Sequence, residues 1–168
     1  HLLDAEKRAG VAHHVVLSIV GIDSVDLGYY EGKRKQEELV LNGDVPATVL
    51  RATQFHEFPK QLLDQSHGPV AIIPRMLSQT VDTRDVAAEL VRVALEPPRG
   101  RAPDLAGPET HEMPELARRL IRARGMRRRV VPVTLPGAAG RAMRDGSLLP
   151  TTPGPRGAVT FGDWLKQR

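Results

Sequence analysis

Short apolar runs alternate along this chain with longer segments in which apolar positions recur every three or four residues. The runs at 14–20, 47–51 and 70–74 are rich in Val, Ile and Leu, which is typical of buried strands. The segment between the first two runs has helical character, so the order is strand, helix, strand. Such a unit predicts two parallel strands joined by a right-handed crossover.

Capping and breaking residues limit the predicted elements. Asn42-Gly43-Asp44 ends the helix after the first strand, and Pro46 prevents it from continuing. Asp82 or Thr83 caps a later helix. Helices are predicted over 2–8, 29–41, 55–65, 84–95 and 112–124, and strands over 14–20, 47–51, 70–74 and 130–133. The predicted core positions of the last two helices are Val86, Leu90, Val91, Ala94, Met113, Leu116, Leu120 and Ile121.

A tyrosine and a lysine open the helix that follows the first strand. Tyr29 and Lys33 are four residues apart, so their side chains share a helix face near the carboxyl end of that strand. A neighbouring ammonium favours the phenolate and lowers the pKa of a phenol from its usual value of about 10. The pair can then transfer a proton at a carbonyl or alcohol oxygen. Ser18, at the strand end, could hydrogen-bond the same oxygen.

The Tyr-x-x-x-Lys pattern also has a structural interpretation. A solvated helix with a tyrosine packed at its start would carry the same residues. Glu37 and Glu38 follow Lys33 and Arg34 by four positions, which predicts ion pairs on the helix surface. The context favours the chemical interpretation, because a strand with a terminal serine, a glycine-containing turn and a second strand surround the helix.

Several motifs, taken in order, resemble the short-chain dehydrogenase/reductase superfamily, and most closely its atypical, NmrA-like NAD(P)-binding branch. They are VVLSIVGID, YYEGKRKQEELV, ATVLRATQFHEF, TVDTRDVAAELV, AGPETHEMPELA and the terminal FGDWL. The resemblance covers nearly the whole chain. It implies an α/β fold with an incomplete, Rossmann-like doubly wound parallel sheet over 1–100 and a small C-terminal substrate subdomain over 101–168.

The resemblance also implies roles for individual residues. The catalytic candidates are Tyr29, Lys33 and Ser18, and the cofactor-binding candidates are Lys33, Ala52, Thr53 and Phe55. The substrate-lining candidates are Gln54, His56, Glu57, Met76 and Gln79. For His56, a place at a helix N-terminus is an equally good interpretation. Asp85 is expected to have a structural role, binding backbone near the sheet edge.

One family feature is missing from the sequence. Proteins of this family begin with a strand and a Gly-x-x-Gly-x-x-Gly turn that cradles the cofactor pyrophosphate, and the printed sequence has no such turn. The segment 136–140 has two of the three glycines, which we expect to allow close helix packing. We therefore expect a fragment, a processed chain or the C-terminal part of a longer protein. Its partners would be a small-molecule substrate, and the missing N-terminal half or another chain that covers the sheet edge.

Composition and charge exclude some classes of function. The 168 residues include no cysteine, which rules out disulfides, thiolate catalysis and cysteine-based zinc sites, and fits a reducing cytoplasm. His13 and His14 are adjacent on a strand and point to opposite faces, so no metal site is expected. Nine of the 24 basic residues lie between Arg118 and Arg144. Because aromatic stacking residues are nearly absent there, we do not expect nucleic-acid binding, and no apolar run predicts a membrane span.

The resemblance, together with the Tyr29 and Lys33 pair, implies an NAD(P)-dependent oxidoreductase. Hydride would pass between the nicotinamide and a carbonyl carbon, while Tyr29 handles the proton of the oxygen. The sequence leaves the substrate and the choice between NAD and NADP open. Two alternatives remain: a non-catalytic NAD(P)-binding regulator, as some NmrA-like proteins are, and a half-domain that requires a partner chain.

Overall fold

The computed structural model describes residues 1–25 and 28–167 of the chain. The helices are α1 (Leu2–Ala9), α2 (Gly28–Leu41), α3 (Phe58–Asp64), α4 (Thr83–Ala94), α5 (Met113–Ala123), α6 (Gly137–Arg144) and α7 (Phe161–Lys166). The strands are β1 (His14–Ile19), β2 (Ala47–Ala52), β3 (Val70–Pro74), β4 (Leu77–Ser78), β5 (Gly100–Arg101), β6 (His111–Glu112) and β7 (Arg129–Val133).

The three-stranded sheet β1-β2-β5 is parallel throughout. Val16 pairs with Val49, and α2 crosses over between β1 and β2. The side chains of Val16 and Val49 pack with Val40 of α2 on one face of the sheet. On the other face, Leu50 packs with Val86 of α4. The predicted α/β fold with a small, incomplete parallel sheet is therefore confirmed.

Two shorter sheets complete the β-structure of the described residues. Strands β3 and β7 form a parallel pair, with Ile72 opposite Val131. Pro132 lies in this pair, and a two-stranded sheet has only edge strands, where proline is tolerated. Strands β4 and β6 form an antiparallel pair, with Leu77 opposite Glu112, which the sequence had placed at the start of a helix.

Helix α3 begins three residues later than the sequence predicted. Phe55 forms a parallel bridge with Val81, and the N–H of His56 donates to the carbonyl oxygen of Val81 at 3.0 Å. These bonds tie Phe55 and His56 to the segment around Val81, a turn follows, and Glu57 is the N-cap of α3. Pro59 then occupies the first turn, where a missing N–H costs nothing.

The buried face of α4 differs from the predicted face. Val86, Leu90 and Val93 contact the core, whereas Val91 is 59% exposed. Positions 86, 90 and 93 are spaced by four and three residues, and Val91 lies about 100° around the helix from Leu90. Val91 and Ala94, which is also exposed, were thus assigned to the wrong face. The N-cap prediction is confirmed, because the Asp82 carboxylate accepts from the N–H of Arg84 at 2.7 Å.

The second core lies around α5. The four predicted positions of this helix are all buried against α3, β3 and the C-terminal helix α7. Phe161 and Trp164 of α7 stack with ring centroids 5.4 Å apart and are almost fully buried. The N–H of Val159 donates to the Asp85 carboxylate at 3.2 Å, which is the structural role predicted for Asp85.

One edge of the main sheet is not paired with another described strand. The N–H groups of His14 and Val20 donate to carbonyl oxygens on the β2 side. Main-chain groups of successive strand residues alternate in direction, so those of Val15, Leu17 and Ile19 point to the other edge. We call this the outer edge of β1.

A buried cluster of charges holds α2 on the sheet. The guanidinium of Arg51 donates to both oxygens of Glu37 at 2.8 and 2.7 Å, and Arg101 of β5 adds a bond of 2.8 Å. Glu37 is only 2% exposed. The predicted surface pair between Glu37 and Lys33 is therefore wrong, because the carboxylate points inward; Glu38 bonds to Lys35 instead.

Burial and ion pairing act against each other at Glu37. Burial raises the pKa of its carboxyl, but the hydrogen bonds from Arg51 and Arg101 outweigh burial, so the pKa lies below its usual value. Ser18 lies on the same sheet face and also contributes to the lowering. The Asp23 carboxylate completes the cluster from the solvent side, 2.7 Å from Arg51.

Within the described residues, no helix is long and apolar enough to cross a membrane. The same part of the chain contains no group of three or more His, Asp or Glu side chains placed to hold a metal ion.

Two glycines allow backbone segments to approach closely. A Cβ at Gly107 would overlap the carbonyl oxygen of Thr80, and a Cβ at Gly140 would overlap that of Leu135. The second approach matches the packing role predicted for the glycines of 136–140. The first positions the segment 79–81, because the N–H of Gly107 donates to the carbonyl oxygen of Gln79 at 3.1 Å.

We expect Gly107→Ala to destabilise the protein by about 1–3 kcal/mol, because the new methyl group must displace backbone. Urea unfolding of the purified chain measures this change. Gly32→Ala is the control, since Gly32 is exposed on α2 and its added Cβ meets no atom within 4 Å. That change should stabilise by about 0.5–1 kcal/mol through helix propensity. Equal unfolding midpoints for Gly107→Ala and the wild type would contradict the close approach.

We expect Glu37→Gln to lower the free energy of unfolding at neutral pH by about 3–5 kcal/mol, because it leaves two guanidinium groups without their carboxylate. The loss should shrink in acid. A carboxyl with a lowered folded-state pKa stabilises above its unfolded value of about 4.3, and this contribution disappears as the pH falls through the folded value.

Urea unfolding of wild type and variant between pH 7 and pH ~2.5 tests this behaviour. Glu38→Gln is the matched control, because it removes an exposed carboxylate from the same helix and should change stability by less than about 1 kcal/mol. A Glu37→Gln effect that stays constant down to the lowest pH would show that the charge cluster does not stabilise the fold.

Candidate functional site

Lys33 is the predicted site residue with the most specific placement. Its ammonium group donates to the main-chain oxygen of Leu17 at 3.2 Å and to Oε1 of Gln36 at 3.0 Å. Leu17 presents this oxygen on the outer edge of β1. The side chain is half-buried, so the ammonium group lies near the carboxyl end of a parallel strand and keeps access to solvent. In open α/β sheets, ligands bind at this end of the strands.

Tyr29 and Tyr30 occupy different environments at the start of α2. Tyr29 is 68% exposed, whereas the Tyr30 ring is half-buried and packs against the core around α5. The two ring centroids are 6.2 Å apart. Tyr29, the predicted catalytic residue, therefore faces solvent, whereas Tyr30 faces the protein. Residues 26 and 27, which precede this turn, lie outside the described part of the chain.

The Tyr30 hydroxyl lies beside the side chain of Gln54. Burial raises the pKa of Tyr30, and the neighbouring Gln54 amide opposes this shift in part. Both polar atoms of the Gln54 amide are buried and lack a partner in regular hydrogen-bond geometry. Buried polar atoms without partners are rare in native structures and often mark a place for a ligand or water.

Ser18 lies under α2. It is 3% exposed, and its hydroxyl makes no hydrogen bond in regular geometry within the described residues. The Ser18 hydroxyl lies close enough to the Glu37 carboxylate to lower the pKa of that carboxyl by hydrogen bonding. Ser18 therefore neighbours the charge cluster, and its role toward a substrate oxygen stays a prediction.

The loop after β2 is held by hydrogen bonds to backbone groups of neighbouring segments. Thr53 is 2% exposed, its N–H donates to the carbonyl oxygen of Leu105 at 3.0 Å, and its hydroxyl donates to that of Gln79 at 2.5 Å. The carbonyl oxygen of Ala52 accepts from the N–H of Val20. Phe55 packs on the apolar side of the sheet. Ala52, Thr53 and Phe55 form a rim at the carboxyl end of β2. Several of their polar groups already make hydrogen bonds to other parts of the fold.

The proposed substrate-lining residues separate into partly exposed and buried ones. Gln54, Glu57 and Gln79 are partly exposed. Met76 is 4% exposed and belongs to the core around α5. Hydrogen bonds between the loops bring residues 53–54 and 79–81 together, so Gln54 and Gln79 lie on neighbouring segments.

His56 is fully buried and has a structural environment. Its Nε2 lies 3.0 Å from the carbonyl oxygen of Val159, and its Nδ1 lies 2.8 Å from the Thr80 hydroxyl. Because a carbonyl oxygen can only accept, Nε2 carries the proton and Nδ1 accepts. Burial lowers the pKa of His56, which favours this neutral form. The ring also packs against Phe161 and Trp164, so it connects α7 to the loop after β2 and lines no open surface.

Lys33 thus lies near the carboxyl end of β1, and Tyr30, one turn earlier on the same helix, lies beside Gln54 in the loop after β2. Sequence reasoning missed Tyr30 because the Tyr-x-x-x-Lys spacing selects Tyr29. It also missed the pair of Glu37 and Arg51. An arginine inside the apolar strand segment ATVLR needs a carboxylate partner, and this could have pointed to a glutamate of the preceding helix.

Comparisons with known proteins give similarity of structure and none of sequence. The sequence matches no protein-family model and no curated protein. An NADPH-dependent quinone oxidoreductase from Escherichia coli superposes with a TM-score of 0.73 at 19% identity, covering 99% of this chain and 70% of that chain. A nucleoside-diphosphate-sugar epimerase from Staphylococcus aureus gives 0.67 at 18% identity, covering 98% and 68%.

A third structure, the triphenylmethane reductase of a Citrobacter species, gives a TM-score of 0.63 at 16% identity, covering 90% of this chain and 61% of that chain. Identities this low carry the fold and no more. At that level, the chain shares the Rossmann-like α/β fold of these structures.

Proposed function

We propose that the chain is part of an NAD(P)-dependent oxidoreductase of the atypical short-chain dehydrogenase type. The observation that carries the proposal is the position of Lys33, whose half-buried ammonium group lies at the carboxyl end of β1, on the outer edge of that strand. The E. coli quinone oxidoreductase has been crystallised with NADPH, and other enzymes of this fold contain NAD. A cytoplasmic location belongs to the same proposal, since a chain without cysteine suits a reducing compartment.

The residues present fit one part of a dinucleotide site. Lys33 would bind ribose hydroxyls, and the rim formed by Ala52, Thr53 and Phe55 would contact the nicotinamide side. The buried Gln54 amide beside this rim has the Tyr30 hydroxyl as a neighbour but no partner in regular hydrogen-bond geometry, which supports a place for a further polar group there. A bound nicotinamide would supply or accept the hydride. A glycine-rich cradle for the pyrophosphate would have to come from a segment or chain next to the outer edge of β1.

The proton of a carbonyl or alcohol oxygen would be handled by a tyrosine near Lys33. Tyr29 has the family spacing, and Ser18 would orient the oxygen. Tyr30 is the competing phenol, because its half-buried ring and its neighbour Gln54 suit a group that contacts a bound molecule. Gln54, Glu57 and Gln79 would contribute to the substrate wall. A regulator that binds the dinucleotide without consuming it remains the alternative from another class.

The outer edge of β1 supports a further part of this proposal. Its main-chain groups at Val15, Leu17 and Ile19 point away from β2, and an edge of this kind pairs readily with another strand. We propose that a strand from a preceding segment of the protein, or from another chain, lies there. The chain would then supply Lys33 while its neighbour supplies the phosphate-binding turn.

The first prediction concerns binding. The native protein should bind NADPH or NADH, measured by calorimetry, and Lys33→Met should weaken binding about tenfold or more, the value of a hydrogen bond to a charged group. Lys35→Met is the matched control. Lys35 is exposed on the same helix, pairs with Glu38 and should leave the affinity unchanged. Absence of binding by the native protein, or equal effects of the two lysine variants, would overturn the proposal.

The second prediction separates the two phenols and the two functional classes. With NADPH and a panel of quinones and other carbonyl compounds, an enzyme consumes the reduced nicotinamide, and the phenylalanine variant of its proton donor should lose about a hundredfold or more in turnover. Tyr29→Phe and Tyr30→Phe are measured side by side. A large loss in Tyr29→Phe alone supports the family spacing, and a loss in Tyr30→Phe alone moves the role to the half-buried phenol. Binding without consumption of any substrate would favour the regulator.

The strand proposal predicts a measurable mass. The intact mass of the native protein should exceed 18.4 kDa if a preceding segment of the same polypeptide covers β1. A polypeptide of 18.4 kDa should instead co-purify with a second chain. If the native protein is a monomer of 18.4 kDa and still binds NADPH or NADH, the proposal of a neighbouring strand on the outer edge of β1 is wrong.

A further inference from the structure

A depression rich in arginine lies between the second half of α5 and the start of β7. Its volume is about 300 Å³, and it is lined by Arg118, Ile121, Arg122, Arg128, Arg129 and Val130. Four of these six residues carry guanidinium groups, and none is acidic. The volume is at the lower end of the range for sites that bind small molecules. We call this feature the arginine depression.

Carboxylates are few near the arginine depression, and the nearest one in sequence is Glu115, three positions before Arg118 on α5. No acidic residue occurs between Leu116 and Arg144. Arg118, Arg122 and Arg129 are exposed and have no ion pair with any carboxylate of the described residues. Arg118 and Arg122 also lie four residues apart on one helix face, where like charges repel each other.

Arg128 gives the depression a fixed wall. Its guanidinium donates to the carbonyl oxygens of Leu63, Ser66 and Gly68 at 2.7, 2.7 and 3.0 Å. These neutral acceptors orient the group without removing its charge. The apolar part of the lining is formed by Ile121, which is 8% exposed, and Val130, which packs on the core. The depression therefore combines one rigid cation, three adaptable ones and an apolar floor.

The helix macrodipole does not account for this number of cations. The carboxyl end of α5 carries about half a negative charge, which one arginine in the last turn would compensate. Arg122 occupies that position. The positive charge of Arg118, Arg128 and Arg129 remains as an excess, and such an excess concentrated in one concave feature favours a multivalent anion.

We propose that the arginine depression binds a small molecule bearing a phosphate or diphosphate group. Planar guanidinium groups match phosphate oxygens two by two, and their charge persists at every physiological pH. A nucleic acid fits less well, because no aromatic side chain lines the depression to stack on bases. Lys33 does not line the depression, and the proposal does not depend on the proposed oxidoreductase function.

Calorimetric titration with inorganic pyrophosphate tests the site. Measurements are made at constant ionic strength, so that unspecific screening does not imitate binding. The variant Arg118→Gln/Arg122→Gln should lose at least tenfold in affinity. The matched control is Arg8→Gln/Arg141→Gln, which removes the same two charges from exposed positions in the last turns of α1 and α6. All four substitutions are on the surface, so folding should persist and is checked by circular dichroism.

The outcomes distinguish the proposal from its rivals. Pyrophosphate binding that falls equally in both double variants, or that is absent in the wild type, overturns it. Binding to vesicles with phosphatidic acid but not to free pyrophosphate would move the site to a lipid headgroup and contradict a small soluble ligand. Binding of a single-stranded oligonucleotide more than tenfold tighter than pyrophosphate would assign the surface to nucleic acid.

The relation to the proposed dinucleotide site is checked in the same experiment. NADPH also carries phosphates, so its affinity is measured in Arg118→Gln/Arg122→Gln and in Lys33→Met. We expect NADPH binding to depend on Lys33 and pyrophosphate binding to depend on the arginines. A parallel loss of both ligands in the arginine variant would make the depression part of the dinucleotide site and overturn its independence.

Discussion

The bidentate pair between Glu37 and Arg51 determines where α2 lies on the sheet. Val40 is the one apolar side chain of this helix that is buried, so apolar packing alone fixes its position weakly. A shift of the helix along its axis would break the hydrogen bonds of the Glu37 carboxylate to guanidinium groups on β2 and β5. Buried ion pairs often add little net stability, because desolvation offsets their attraction, but removing one partner costs much. The cluster therefore specifies the helix position, and Lys33, one turn earlier, reaches the outer edge of β1 as a result.

Local patterns predicted the elements of the fold well where burial follows a simple period. The apolar runs became β1, β2 and β3, and the face of α5 was correct at all four positions. The errors arise where long-range contacts decide. The start of α3 depends on a bridge to Val81, and the inward turn of Glu37 depends on arginines 14 and 64 residues away. Neither contact can be predicted from the hydrophobic periodicity of the segment itself.

The candidate site could be predicted only in part, for a related reason. The spacing of Tyr29 and Lys33 identifies a helix and an approximate place, and Lys33 does lie at the carboxyl end of a strand. Adjacent helix residues differ by about 100° in direction, so which tyrosine faces the protein depends on how the helix is rotated. That rotation is fixed by Glu37 and by the packing of Tyr30. The position of His56 was also not predictable from local sequence. Its hydrogen-bond partners Thr80 and Val159 are distant in sequence, and this substrate-lining candidate is fully buried between them.

Arginines near the main sheet and arginines around the end of α5 differ in how their charge is compensated. Arginines near the main sheet are neutralised locally, as Arg51 is by Glu37 and Asp23, and Arg84 by Asp82. Such pairs fix geometry and leave little field for a ligand. Around the end of α5 the opposite holds, because several guanidinium groups share a surface with few carboxylates and repel one another at a cost in stability. A fold that needed these charges only for solubility could spread them over its surface. Their concentration around one depression supports the proposed anion site, in which Arg118, Arg122 and Arg129 would contact the ligand, because most N–H groups of Arg128 are bound to carbonyl oxygens.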